Sequence, residues 1–356
     1  MKKILFIFLA TICIGSSFAD VNPAYTQIIN SMAEQLMQNN QTPGLALVIF
    51  HQGKPLFFTY GVANQTTRQP VTQQTIFEIG SLTKTFTATL LAMQVQAGKI
   101  KLNAAVGPYL PKELQVGQEV INQVTFEQLA THTASLPKVP PDFEPDEAYD
   151  SARFFDFLIH WQPSYPLGSK WHYSNIGFGV LSYALAGAVK QDFWNYLQND
   201  LLKPLAMNQT TYFVPAIEES QYAQGYFADN EPAPRWMMMA WKPGSGALRS
   251  TPNDMMKFLQ ANLNVGDAPI AIRQAMQFAQ QSYFKINDRT MQGLAWATTT
   301  FPNGQKIVWK DGATAGFSTF IALAPDKHAG LVIMINKKTK SKELMKFAKI
   351  VLNGVQ

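Results

Sequence analysis

Phe77-Glu78-Ile79-Gly80-Ser81-Leu82-Thr83-Lys84-Thr85-Phe86 is the stretch on which the fold is decided. Beyond it come Ala88, Leu90, Leu91 and Met93, apolar on several sides, which predicts a helix opening at Ser81 and buried along its length. A lysine three residues after a serine shares its helical face, so the Lys84 amine falls within reach of the Ser81 hydroxyl. Burial and the positive end of the helix dipole both disfavour an ammonium there, lowering the Lys84 pKa and fitting it for proton transfer. Ser81 becomes a candidate nucleophile. Its bland alternative is a helix cap. The same spacing recurs at Ser135-Leu136-Pro137-Lys138 and Ser282-Tyr283-Phe284-Lys285. Pro137 puts the first in a loop, and no long apolar helix follows Ser282, so neither serine has the setting of Ser81.

Outward from this helix the texture changes on both sides. Upstream, Tyr25, Ile28, Ile29, Met32 and Leu36 recur at helical spacing, and residues 45–50 and 56–60 read as two strands joined by a turn at His51-Gln52-Gly53-Lys54. Near the other end, residues 306–309, 318–323 and 331–335 are strand-like, and a helix follows Ser341. Between them, residues 85–96, 152–161, 176–189 and 193–202 read as helices separated by proline-rich loops. Strands at both ends and helices between predict an α/β (α+β) fold, in which an antiparallel sheet built from both termini is flanked by helices and carries an all-helical insertion. The expected division is an α/β domain of residues 20–84 and 240–356 and a mainly helical domain of residues 85–239, with the site at their interface.

Met1-Lys2-Lys3, an apolar run over residues 4–15 and Ser17-Phe18-Ala19 read as a secretory signal cut after Ala19. Later segments fall short of the roughly 20 apolar residues that a membrane span needs. The expectation is a periplasmic protein without a membrane anchor. The single cysteine, Cys13, lies in the signal and follows Ile12 rather than a small residue, which favours removal with the signal over lipid attachment. The mature chain would then hold no disulfide, and since the whole chain is 47% apolar, a core large enough to fold without one is available. The net charge of +5 falls by two when Lys2 and Lys3 leave, and no basic run interleaves with aromatics, so nucleic acid is not an expected partner.

Two further elements carry chemistry. Tyr173-Ser174-Asn175 follows Pro166-Leu167-Gly168 and precedes a helix, and in Trp309-Lys310-Asp311-Gly312-Ala313 a strand ends in a lysine with glycine two residues on. Lys242-Pro243-Gly244 has the same spacing, but its proline argues against an inner strand. His51, His132, His160, His172 and His328 show no metal-ligand spacing, so structural or surface roles are expected, with His172 an orienting neighbour of Tyr173.

Taken in order, Ser-x-x-Lys, Tyr-Ser-Asn and Lys-x-Gly resemble the serine β-lactamases of class C and related penicillin-binding proteins. Trp161-Gln162-Pro163, Ala223-Gln224-Gly225-Tyr226, Gly312-Ala313-Thr314-Ala315-Gly316-Phe317 and Asn336-Lys337 extend the likeness, which runs from about Phe77 to the end of the chain. The resemblance implies that Ser81 is acylated while Lys84 and Tyr173 share the proton work, the Tyr173 pKa being drawn toward neutrality by Lys84 and Lys310. It further implies that Asn175 bonds a substrate amide, that Lys310 attracts a substrate carboxylate, and that the backbone N–H groups of Ser81 and Ala313 form an oxyanion hole, with Asp311 and Gly312 beside the bound substrate. A monomer acting on a small β-lactam follows, with no metal or cofactor. Asp311 stands where the family has a hydroxyl residue and would repel a carboxylate unless Lys310 neutralises it. The short connection from Gly293-Leu294-Ala295-Trp296 to Lys310 predicts an open rim. Carboxylesterases and D-alanyl-D-alanine peptidases share the constellation and stay open as alternatives. A non-catalytic peptidoglycan-binding relative fits less well, since Ser81, Lys84 and Tyr173 are all present.

Overall fold

The computed structural model describes residues 23–115, 119–144 and 147–354; the signal segment, with Cys13, lies outside the described residues. Helix α1 (Pro23–Asn40) leads into the hairpin β1 (Gly44–His51) and β2 (Lys54–Gly61). After the short β3 (Phe77–Glu78) comes α2 (Thr83–Gln96), and then α3 (Phe126–Ala130), α4 (Ser151–His160), α5 (Asn175–Val189) and α6 (Phe193–Leu197). The chain returns through β4 (Arg249–Ser250), α7 (Pro252–Asn262) and α8 (Ile270–Ala279). It closes with β5 (Phe284–Asn287), β6 (Thr290–Gln292), β7 (Ala297–Thr300), β8 (Lys306–Ala313), β9 (Ser318–Ala324), β10 (Ala329–Ile335) and α9 (Ser341–Asn353).

Eight strands form one antiparallel sheet in the order β2-β1-β10-β9-β8-β7-β6-β5, so the sheet shared by the two ends is as expected. The first long strand pairs with the last, Leu45 opposite Ile335 and Phe50 opposite Gly330. Every residue of β1 is buried because both faces are covered. Leu45, Leu47 and Ile49 point to α1 and α9 on the outer face, while Ala46, Val48 and Phe50 point inward. Each such aliphatic side chain contributes roughly 1.5–3 kcal/mol by leaving water.

Helices α7 and α8, which the sequence reading passed over, fill the space between the inner face and α2. Phe258 of α7 stacks on Phe86 of α2 with ring centres 3.9 Å apart. The start of α7 was legible as Thr251-Pro252-Asn253-Asp254, since the Thr251 hydroxyl accepts the Asp254 N–H and proline occupies the first turn. From the inner face, one apolar core continues through α2 (Phe86, Leu90, Leu91) into α5 (Phe178, Leu181). Helix α2 is therefore buried nearly all round, and its hydroxyls are absorbed internally: Thr85 donates to the Leu82 carbonyl, Thr89 to that of Thr85, and Thr87 to that of Gly244.

The missed strands β5 to β7 extend the sheet past β8. The short connection noted before Lys310 is the β7–β8 hairpin, with the Phe301 N–H donating to Gln305. The hairpin of β5 and β6 brings Ile286, Asn287 and Thr290 to the cleft wall, so that wall is not left bare.

Candidate active site

Ser81 does not sit in the first turn of an α-helix, as expected, but in a short 3-10 turn, Gly80–Leu82, that leads into α2. Gly80 has a φ of +51°, and a Cβ there would stand 2.7 Å from the Ala313 nitrogen. A Cβ on Gly312 would meet the Ile79 carbonyl at 2.2 Å. The two glycines thus let the serine turn lie against the end of β8, backbone to backbone. Thr319 locks the contact by donating to the Ile79 carbonyl at 2.8 Å, and Thr83 by donating to that of Gly80 at 2.7 Å. Ser81 and Ala313 are thereby neighbours at the cleft floor.

Lys84 is fully buried, with its Nζ 3.1 Å from Ser81 Oγ. It donates to Asn175 Oδ1 at 2.8 Å and to the Ser245 carbonyl at 2.6 Å. Burial first, and then the Lys310 charge, push its pKa well below the usual lysine range. A neutral amine has two N–H groups, and Asn175 and Ser245 take both. The lone pair is left facing the Ser81 hydroxyl.

Tyr173 reaches the same oxygen from the other side, its hydroxyl donating to Ser81 Oγ at 2.6 Å. Lys84 and Lys310 lie 5.0 and 4.8 Å from its ring centre. The expected fall of the Tyr173 pKa toward neutrality is not what the structure shows. Desolvation raises it above the ordinary tyrosine value, and Lys310 and the Ser81 contact offset only part of that rise. Tyr173 is a neutral phenol in this state. Ser174 caps α5 by accepting the Gly177 N–H at 2.9 Å and donates to the Pro137 carbonyl, which fixes the Tyr173 loop on the 132–138 segment.

Lys310 lies on β8, nearly buried, and pairs with Asp311 at 3.1 Å. Burial opposes its charge, but Tyr173 and Asp311 win and hold its pKa above the usual lysine value. Burial likewise opposes the Asp311 charge, and Lys310 overrides it to hold that carboxyl below the ordinary carboxylate range. The carboxylate that replaces the family hydroxyl is thus neutralised in place. The Lys310 charge expected to meet a substrate carboxylate is therefore already engaged internally.

The histidine next to the tyrosine in space is His132 and not the sequence neighbour His172, which is exposed. Buried His132 accepts the Ser174 N–H on Nδ1 at 3.2 Å and packs its ring 4.6 Å from that of Tyr173. Desolvation and then the two lysines drive its pKa far down, so it is a neutral prop for the tyrosine.

Ser81, Tyr173, Asn175, Lys310, Asp311 and Ala313 line one cleft of about 880 Å³, with Gly312 and Lys84 just behind its wall. The cleft also contains residues that the sequence reading set aside or did not weigh, chiefly Lys138, Lys242, Lys338, Trp171 and Trp236. Lys138 and Lys242 end or open the spurious Ser-x-x-Lys and Lys-x-Gly matches, so spacing alone had marked them for the wrong reason. The quoted Ala223–Tyr226 and Asn336 stretches hold each other instead: Asn336 Nδ2 donates to Val62, Ala63 and Gln224, and the Tyr226 N–H bonds the Asn336 carbonyl.

Comparison with known proteins bears on this cleft. The sequence pattern of the Beta-lactamase family matches residues 29–352. Relatives named Beta-lactamase include one from Psychrobacter immobilis, 32% identical over 95% of this chain and 90% of its own length. Another, from Escherichia coli strain K12, is 32% identical over 92% and 93%. Among solved structures, a class C beta-lactamase superposes with a TM-score of 0.87 at 28% identity, covering 95% of this chain and 98% of its own. A D-alanine carboxypeptidase from Burkholderia cenocepacia superposes at 0.83 with 31% identity, covering 93% and 99%. The match spans the sheet, the helical middle and the cleft between them, and the chain belongs to the beta-lactamase family.

Proposed function

We propose that the protein is a serine hydrolase that opens the β-lactam ring of penicillins or cephalosporins through an acyl-enzyme on Ser81. One observation carries this reading: a single hydroxyl oxygen held between the Lys84 amine at 3.1 Å and the Tyr173 hydroxyl at 2.6 Å. Neutral Lys84 takes the Ser81 proton as Oγ bonds the lactam carbonyl carbon. The backbone N–H groups of Ser81 and Ala313 meet the developing oxyanion. The C–N bond then breaks, and the neutral Tyr173 phenol supplies the proton that the ring nitrogen needs, recovering its own from Lys84. A water molecule later attacks the ester, its proton leaving by the same pair, and Ser81 is restored. Asn175 orients the substrate amide. Lys310, with Asp311 and Gly312 beside it, attracts the ring carboxylate.

The resemblance to the solved D-alanine carboxypeptidase from Burkholderia cenocepacia and to the beta-lactamase/D-alanine carboxypeptidase from Pseudomonas syringae favours one second reading. In it the same acyl-enzyme forms on a peptide ending in D-alanyl-D-alanine. A chromogenic cephalosporin separates the two. Many turnovers per protein molecule support the β-lactamase, whereas one stoichiometric burst with an adduct left on Ser81 supports the peptidase.

Export to the periplasm behind a signal cut after Ala19, action as a monomer, and the division into residues 20–84 with 240–356 and residues 85–239 belong to the same proposal. No helix among the described residues is long and apolar enough to cross a membrane.

A further inference from the structure

Four lysines line the cleft, Lys138, Lys242, Lys310 and Lys338, against one carboxylate, Asp311. Two of the four are already occupied. Lys310 pairs with Asp311 at 3.1 Å. Lys242 is buried, gives its amine to the Met237 carbonyl and lies 3.6 Å over the Trp236 ring. Lys338 and Lys138 keep exposed side chains. They belong to opposite walls and face each other across the cleft closely enough that, after burial, the Lys138 charge is what most lowers the Lys338 pKa, with Asp311 opposing it.

Lys338 follows β10 on the sheet wall beside Lys310 and touches the Thr314 carbonyl at 3.3 Å. Lys138 belongs to the helical wall. Its carbonyl accepts the Asn175 N–H at 3.0 Å, and the preceding Pro137 carbonyl accepts from Ser174 at 2.7 Å. The backbone that carries Lys138 is therefore fastened to the residue that orients the substrate amide. No acidic side chain among the described residues forms an ion pair with Lys138. Its charge bears on the nucleophile's surroundings, since it is among the groups that disfavour a charged Lys84.

A substrate with one carboxylate on its ring satisfies the sheet wall alone. The position of Lys138 beside Asn175 calls for a second anion on the far side of the scissile bond, attached to the acyl side chain next to its amide. We infer that Lys138 is a specificity residue selecting acyl side chains that bear a carboxylate, so that the preferred substrate is a dianion. The inference rests on the reading of Ser81 as the acylated nucleophile and names the substrate class of that same cleft. Long-range attraction across a solvated cleft sets the scale, about tenfold in affinity at low salt and less at high salt.

The test uses two arylacetamido boronic acids, identical except that one carries a carboxylate on the side-chain carbon next to the amide. Their binding to the full-length mature protein is measured by calorimetry, and a boron adduct on Ser81 is verified by mass spectrometry. The parent should bind the carboxylated compound about tenfold more tightly, Lys138→Gln should erase that margin, and Lys138→Arg should keep it. Lys338→Gln should leave the margin standing. Equal binding of the two compounds by the parent would overturn the inference. So would a Lys138→Gln variant that weakens both alike, or a margin lost with Lys338→Gln and kept with Lys138→Gln. Absence of a Ser81 adduct with either compound would instead sink the nucleophile reading and the inference together.

Discussion

Ser81-Leu82-Thr83-Lys84 and Ser135-Leu136-Pro137-Lys138 share a spacing and a second residue, yet the fold uses them in opposite ways. In the first, a 3-10 turn running into α2 keeps both side chains on one face and buries the amine beside the hydroxyl. In the second, Ser135 has a φ of +59°, and its hydroxyl accepts the Tyr165 N–H at 3.2 Å while Lys138 swings out to the rim. A serine–lysine spacing has chemical meaning only where helical geometry returns the two side chains to each other. The lysine–glycine pairs repeat the lesson. Lys310-Asp311-Gly312 ends an inner strand, whereas Lys242-Pro243-Gly244 turns in a loop and tucks its amine under Trp236.

The sharpest way to break this comparison is to remove each serine in turn. Ser81→Ala should lose at least about a thousandfold in kcat and form no adduct with a penicillin or boronic acid. Ser135→Ala should stay within about twofold of the parent and lose on the order of 1 kcal/mol of stability, because the Tyr165 N–H loses its acceptor. Adduct formation on Ser135 with Ser81 free would invert the assignment. Next in size is Tyr173→Phe, which leaves Lys84 in place but takes away the proton donor to the ring nitrogen. A loss of roughly a hundredfold in kcat is expected. A Tyr173→Phe enzyme of undiminished rate would leave Lys84 as the whole of the proton machinery.

Smaller effects sharpen the contrast between the two lysine–glycine segments. Asp311→Thr frees Lys310 for a substrate carboxylate and should raise kcat/KM for penicillins about tenfold, corresponding to roughly 1.4 kcal/mol. No gain would mean that the ion pair has a positioning role of its own. Lys242 gives a stability readout instead. Burial lowers its pKa to about 7. A lysine that is harder to protonate when folded weakens the fold wherever the unfolded chain holds its proton. The penalty is therefore full at and below about pH 7 and fades as pH rises toward the ordinary lysine value of about 10.4. Lys242→Met should then stabilise the protein by on the order of 1 kcal/mol at pH 7 in urea titrations, and by less at pH 9.5. An advantage independent of pH would point to packing against Trp236 rather than charge.

Much of this arrangement was legible because it is local. The hairpin at residues 44–61, the helix after Ser81 and the helix after Tyr173-Ser174 each declare themselves within a dozen residues through periodicity, turns or a cap. Ser81, Lys84, Tyr173 and Lys310 emerged once three weak patterns were read in order. What escaped depends on burial and on contacts across the chain. The direction of the Tyr173 shift was missed because two nearby lysines are visible in sequence while the desolvation that outweighs them is not. His132 was given its structural role, but its contact with Tyr173 was missed because the two are distant in sequence. The strands β5 to β7 were missed because an edge hairpin over the cleft is short and only half-buried.

The pairing of the first long strand with the last also bears on the order in which the molecule can be made. β1 ends at His51, and the strand it needs on its inner side, β10, begins only at Ala329. Until that segment has emerged, the edge of Gly-Leu-Ala-Leu-Val-Ile-Phe-His lies open, a row of unpaired backbone groups with apolar side chains on both faces. Contacts so distant along the chain slow folding and lengthen the time during which such an edge can find another copy of itself. A chain that stops short of β10 would keep its serine, lysine and tyrosine and still lack the strand that joins the two halves of the sheet behind them.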